Sequence, residues 1–359
     1  MALFQLILLI IPPFLLFTYF IATSASEPTT LTIHPSLASL PASLDIAKVY
    51  PEDLFEGGAE VLLSYGKVKY WVLGPEDGQK VVLVHGLSMP SIVFKDVAPA
   101  LASNGFRVLV YDLYGRGYTE APQTTYDVNL YTTQLALLMQ HLRWDRASLL
   151  GMSMGGGIVG AFVHQFPWLV ERKVVLVCPA GVVDTKDLSR TTRLLSSSTI
   201  QWIASSYPVR AYMRWLANSP STSDDPLAQI VRIQSAHLPG FNPALASSIR
   251  HGPIRGLHSS FSSPAFAQRD VLIVHGTKDR TVPFVYAKRV RGLVGGAQEA
   301  GRNERERAKS GDKLGLEDGQ KGGSVRLVKM EGKGHGVMME EWEEVTRRVV
   351  EFFDGEDGE

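Results

Sequence analysis

One stretch constrains this 359-residue chain more than any other: Leu149-Leu150-Gly151-Met152-Ser153-Met154-Gly155-Gly156-Gly157. It reads as a short apolar strand, a very tight turn and the start of a helix. Gly151-x-Ser153-x-Gly155 has the spacing of a nucleophile elbow, a strained strand-to-helix turn that lifts a serine hydroxyl above the end of a sheet. Glycine on both flanks is a steric requirement, because a Cβ there would collide with the neighbouring strand and helix. The helix begins at Met154, so the Met154 backbone N–H is expected to point at the space beside Ser153. That is half of an oxyanion hole, set in the field of a helix N-terminus.

Three further stretches belong with it. Val81-Val82-Leu83-Val84-His85-Gly86-Leu87 is a buried strand that ends in His-Gly. Val271-Leu272-Ile273-Val274-His275-Gly276-Thr277-Lys278-Asp279 is a second buried strand followed by an acid. Gly332-Lys333-Gly334-His335-Gly336 is a glycine-rich loop with a histidine. On these residues, in the chain order Ser153, Asp279, His335, the sequence resembles the α/β-hydrolase superfamily from about Gly66 to about Phe353. Asp112-Leu113-Tyr114-Gly115-Arg116-Gly117-Tyr118-Thr119 is similar to a turn of the branch holding cap-bearing esterases, lipases and carbon–carbon bond hydrolases.

The resemblance implies an α/β fold, with a mostly parallel central sheet flanked by helices and a helical cap inserted between two strands. It implies Ser153 as nucleophile, His335 as base and Asp279 as the acid that orients it. Backbone N–H groups of Leu87 and Met154 would form the oxyanion hole. No metal and no organic cofactor is required. His85 is implied to brace its loop structurally, and the Asp, Arg and Tyr of the 112–119 turn to be structural. Chain order supports His335 independently: of nine histidines, it alone follows Asp279. Asp184, after the preceding strand, is the other candidate acid. A serine nucleophile argues against epoxide hydrolase or haloalkane dehalogenase chemistry, because those relatives carry an aspartate there.

The expected activity is hydrolysis of a carboxylic ester, in reach of a lipid-derived one, through an acyl-enzyme. Acyl transfer and carbon–carbon bond hydrolysis use the same triad and stay open. So does a non-enzymatic ligand-binding role, against which the complete triad counts. The expected partner is a small apolar ester. Equal numbers of acidic and basic residues, 36 each, give no basis for a nucleic-acid partner. The single cysteine, Cys178, excludes an internal disulfide and reads as a small buried hydrophobe.

Periodicity organises the rest. Strands are expected at Val61–Ser64, Val68–Leu73, Val81–Val84, Phe106–Tyr111, Lys173–Val177, Val271–His275 and Val325–Val328. Helices are expected at Ser91–Ser103, Asp127–Arg143, Met154–Gln165, Pro283–Val290 and Glu341–Phe353. Residues 50–181 and 268–355 form the expected core, and 182–267 the cap, with helical spacing at Thr199–Leu216, Leu227–Ala236 and Pro243–Ile249. Residues 295–323 are rich in Glu, Arg, Lys, Gly and Gln and are expected to be a disordered insertion. At the other end, Ala2–Ala22 is apolar over about the length that spans a bilayer, although Pro12-Pro13 interrupts it. The expectation is a single-pass N-terminal membrane anchor over residues 1–22 in the secretory pathway, with secretion after signal cleavage as the alternative. Residues 23–49 would be a linker.

Overall fold

A computed structural model of the chain describes residues 31–44, 46–187, 209, 226–311 and 322–355. The chain divides into two units, Met1–Thr32 and Ile33–Glu359. Of the first, only Leu31 and Thr32 are described, both exposed. The second is the α/β fold.

Its strands, in chain order, are β1 (Ile33–His34), β2 (Gly58–Leu63), β3 (Gly66–Leu73), β4 (Gln79–Val84), β5 (Phe106–Tyr111), β6 (Ala121–Pro122), β7 (Ala147–Met152), β8 (Val170–Val177), β9 (Asp270–Gly276) and β10 (Val325–Met330). The helices are α1 (Ile46–Val49), α2 (Val97–Ser103), α3 (Val128–His141), α4 (Met154–Gln165), α5 (Pro226–His237), α6 (Phe241–His251), α7 (His258–Phe261), α8 (Val285–Gly311), α9 (Val337–Glu340) and α10 (Trp342–Asp354). Eight strands form one sheet in the order β10-β9-β8-β7-β4-β5-β3-β2. Within this sheet the pairs β2–β3 and β3–β5 are antiparallel and the others parallel.

The unbroken apolar runs of the central strands follow from burial on both faces. Val82, Val84, Leu149, Val174, Leu176 and Ile273 point to one side, where α3, α4 and α8 pack. Val81, Leu83, Leu150, Val175, Val177 and Leu272 point to the other, where α2 and α10 pack. Asp127 caps α3 by accepting the Leu130 N–H at 2.9 Å, which satisfies one of the orphan donors of the first turn. The two shorter helical spans expected in the inserted region appear as α5 and α6. The Thr199–Leu216 span lies outside the described residues, apart from Val209.

Three expectations are corrected. Residues 33–49 are not a linker throughout. β1 pairs antiparallel with β6, the Leu37 N–H donates to Gly117 O at 3.0 Å, and Leu37 and Ile46 are buried in the core. Serines and prolines are interspersed there with apolar residues, and the apolar ones are enough to hold the segment down. The insertion expected over 295–323 is helical as far as Gly311, because α8 continues through it. Val294, Ala297 and Gln298 are buried on its inner side. Glu, Arg, Lys, Gln and Ala are all good helix formers, so a charged composition suits a solvent-facing helix as well as a disordered loop. Residues 312–321 lie outside the description.

The membrane assignment, with its secretory-pathway localisation, does not stand. No helix among the described residues is long and apolar enough to cross a membrane. Residues 1–30, which hold the apolar run, are outside the described residues.

The docked segment yields a test. Leu37→Ala is expected to cost about 2–5 kcal/mol, the range for a buried leucine. Urea unfolding measures it, and an unchanged midpoint would make the segment a tether without structural weight.

Candidate active site

Ser153 joins β7 to α4 with φ 55° and ψ −119°, a backbone conformation that L residues avoid. Neighbouring backbone holds it there. A Cβ on Gly151 would lie 2.6 Å from the Gly155 carbonyl carbon, and one on Gly155 would lie 2.6 Å from the His85 carbonyl oxygen. Glycine at both positions lets β7, α4 and the end of β4 approach this closely. The Ser153 N–H donates to Val177 O at 2.9 Å, which ties the elbow to β8.

His335, in the loop after β10, reaches the serine. Its Nε2 lies 3.0 Å from Ser153 Oγ and its Nδ1 2.7 Å from Asp279 Oδ2. An ionised carboxylate only accepts, so the imidazole proton sits on Nδ1 and Nε2 offers a lone pair to the serine hydroxyl. Asp279 follows β9, its side chain fully buried. Its Oδ1 accepts the N–H groups of Thr281 and Val282 at 2.8 and 2.9 Å. Burial alone would raise the Asp279 carboxyl. Hydrogen bonds from His275 and His335, with the Val282 N–H, outweigh it and hold the group well below the usual carboxylate range.

Asp184 is placed elsewhere. It pairs with Arg289 of α8 at 3.1 Å, and this hydrogen-bonded pairing lowers its carboxyl.

Leu87 and Met154 both line a cavity of about 410 Å³ that also contains Ser153 and His335. Met154 opens α4, so its N–H has no partner within the helix. The loop carrying Leu87 lies against the serine: a Cβ on Gly86 would be 3.3 Å from Ser153 Cβ. Two buried side chains set the orientation of this loop. His85 Nδ1–H donates to Gly86 O at 2.9 Å, and His85 Nε2 accepts the Leu113 N–H at 2.9 Å. The second bond fixes the tautomer, because a ring nitrogen that accepts carries no proton. Burial lowers the His85 pKa to about 3, and Arg116 adds to the effect, so the ring stays neutral. The Gly86 carbonyl and the Leu87 N–H belong to one trans peptide and point in opposite directions. Holding the carbonyl against His85 therefore turns the Leu87 N–H the other way.

Arg116 fixes the next peptide. It is fully buried and donates from Nε to Leu87 O at 2.9 Å. Its Nη1 donates to Tyr114 O and Tyr131 OH, and its Nη2 to Ser248 Oγ of α6. No carboxylate pairs with it among the described residues. Sequence reasoning placed Arg116 in a structural turn, but the link to Leu87 joins residues 29 apart and has no local signal. Asp112 anchors the turn itself. It accepts the N–H groups of Ser91 and Tyr118, each at 2.8 Å, and the Tyr50 hydroxyl at 2.9 Å.

Among the described residues, one group of three potential metal-binding side chains lies close together: Cys178, Asp279 and His335, with ligand atoms within 4.8 Å of one another. Two of these already bond to each other, and burial pushes the Cys178 thiol well above its ordinary value.

A family model described as the alpha/beta hydrolase family matches residues 81–348. The chain belongs to the alpha/beta hydrolase family. This alpha/beta hydrolase is 32% identical over 227 residues to a 2-hydroxy-6-oxo-2,4-heptadienoate hydrolase of Pseudomonas putida, covering 60% of this chain and 78% of the relative. Other curated relatives are matched over only about a third of their own length. Among solved structures, a meta-cleavage product hydrolase from Pseudomonas fluorescens superposes with TM-score 0.58 at 21% identity, covering 84% of this chain and 98% of that one. An esterase from Exiguobacterium antarcticum does so with TM-score 0.59 at 22% identity, over 82% and 98%.

The approach at Gly155 allows no side chain. Gly155→Ala is expected to yield no soluble folded protein, because the backbone of both β4 and α4 would have to shift. Circular dichroism and gel filtration of the variant check this; a folded variant with wild-type melting would refute the steric account.

Proposed function

We propose that this alpha/beta hydrolase cleaves a carboxylic ester of a small apolar molecule through an acyl-enzyme on Ser153. The observation that carries the reading is the unbroken relay from Asp279 Oδ2 through His335 to Ser153 Oγ, at 2.7 and 3.0 Å. His335 Nε2 takes the hydroxyl proton as Oγ attacks the acyl carbonyl. Asp279 keeps the imidazole in the tautomer that can accept and stabilises its positive form. The Leu87 and Met154 N–H groups receive the developing oxyanion, each worth roughly 3 kcal/mol of barrier. His335 then returns its proton to the leaving alcohol, and water activated by the same histidine releases the acid. Leu87, Met89, Val93, Met154, Val183 and Ile254 line the cavity, which suits an apolar acyl part.

A second reading is favoured by the Pseudomonas putida relative, a hydrolase of 2-hydroxy-6-oxo-2,4-heptadienoate. The same residues serve hydrolysis of a carbon–carbon bond beside a carbonyl, with the leaving carbon taking the proton. A panel of p-nitrophenyl esters of graded chain length, run beside a 2-hydroxy-6-oxo-dienoate, separates the two by kcat/KM.

Purified protein should be labelled by a fluorophosphonate probe, and Ser153→Ala should lose both labelling and hydrolysis while melting as wild type. More than a few per cent of wild-type turnover in that variant would remove Ser153 from the reaction. Asp279→Asn should lower kcat by about 10⁴, the loss known for such a change of an orienting carboxylate. Asp184→Asn should leave kcat nearly unchanged. The reverse ranking would move the acid to Asp184.

A further inference from the structure

Asp279 has a second histidine against it. His275, in β9, is fully buried, and its Nε2 lies 2.8 Å from Val282 O and 3.3 Å from Asp279 Oδ2. A carbonyl can only accept, so Nε2 carries the proton and the ring faces both oxygens as a donor. The bond to Val282 closes the turn that holds Asp279, and the same N–H leans on the carboxylate oxygen that His335 uses. His275 Nδ1 is buried with no partner among the described residues. The edge-on ring of Phe284, 5.7 Å away, packs against the imidazole. A buried polar atom left unsatisfied costs about 1–3 kcal/mol. A leucine or methionine would fill the space without that cost, so a core-filling role does not account for the histidine.

We propose that His275 is a positioning residue for the orienting acid. It fixes the Asp279 carboxylate toward His335 and draws off part of its negative charge, which moderates the basicity of His335. The proposal rests on the triad of the preceding reading and is indifferent to the substrate. The other titratable and charged groups near the pair are few. Cys178, after β8, and His335, after β10, reach Asp279. Lys329 of β10 is in register with His275 but exposed, and Lys278 and Arg280 flank Asp279 in its own turn. His335 and the Cys178 thiol also donate to the Asp279 carboxylate, so removing His275 takes away one of three side-chain donors. The carboxylate then becomes more basic, stabilises protonated His335 more strongly, and moves the acid limb of the pH profile to higher pH.

The test reads the rate of Ser153 labelling by a fluorophosphonate as a function of pH in the full chain. His275→Leu removes the donor, and His275→Gln keeps a side-chain N–H of similar reach. We expect His275→Leu to label about ten-fold more slowly or worse, the scale of one hydrogen bond to a charged group. Its acid limb should lie at higher pH, and His275→Gln should recover most of both losses. Wild-type rate and limb in His275→Leu would overturn the proposal. So would a His275→Gln variant no better than His275→Leu, or a variant that only melts earlier while its limb stays in place. If His275→Leu does not fold, His275→Asn, whose amide is too short to reach Oδ2, takes its place under the same criteria. Wild-type protein that is not labelled at all would bring down the preceding reading together with this one; labelled wild type with unaffected variants brings down only this one.

Discussion

The close approach of three backbones at Gly151 and Gly155 is the constraint on which the rest of this structure depends. Because neither glycine carries a Cβ, the end of β4 lies directly against the first turn of α4. That contact leaves Ser153 no room for an ordinary conformation and fixes it at φ 55°. Strain of this kind costs of order 1–3 kcal/mol and persists only where surrounding structure over-determines it. Here the Val177 carbonyl, the β4 backbone and the helix all do so. The same contact brings the His85–Leu87 loop beside the serine, so one packing event delivers both the raised hydroxyl and the loop that faces it.

Around this contact the molecule spends buried polar groups on peptide orientation. His85, Asp112 and Arg116 are each fully buried, and nearly all their bonds go to backbone atoms or to hydroxyls. Burying an unpaired charge such as the Arg116 guanidinium costs several kcal/mol unless its hydrogens are satisfied. Four oxygen partners and the faces of Tyr126 and Tyr131 supply that satisfaction. One of those partners, Ser248, lies on α6 of the inserted span. Gln234 of α5 accepts the Gly117 N–H at 2.7 Å in the same way. The helices of the insertion are thereby bonded to the turn that holds the Leu87 loop.

Much of this was legible in the sequence, for reasons that differ by residue. The elbow could be read because its steric demand falls on three residues within five positions. His335 could be read because chain order left a single histidine after Asp279. The strands could be read because burial on both faces leaves an unbroken apolar run. What escaped reading depends on contacts distant in sequence or on composition that suits two states. Nothing local links Arg116 to Leu87, or Leu37 to Gly117. His275 sits in a run that sequence explains as strand core, and its ring becomes informative only once the turn to Val282 closes. The charged stretch after Gly295 fits a surface helix as well as a disordered loop, and α8 takes the helical option. An apolar run of sufficient length suggests an anchor, but no helix among the described residues is long and apolar enough to cross a membrane.

Two buried aspartates show how burial and partners together decide the state of a carboxyl. Asp112 and Asp279 are both removed from solvent, and both accept two backbone N–H groups. Asp112 adds only the neutral Tyr50 hydroxyl; burial dominates and pushes its pKa up to about 6. Asp279 is less completely buried and adds two imidazoles, whose donors outweigh its burial and hold it below the usual range. The consequences for stability have opposite signs. A carboxyl raised in the folded state gives a contribution that is complete below its unfolded pKa and is lost as pH rises through about 6. A carboxyl lowered in the folded state gives one that is present above its unfolded pKa and is lost as pH falls through its depressed value. The ionised state of Asp279 at neutral pH is therefore favoured by folding, while that of Asp112 is opposed by it. The carboxylate that His335 leans on is the one whose negative charge the fold itself sustains.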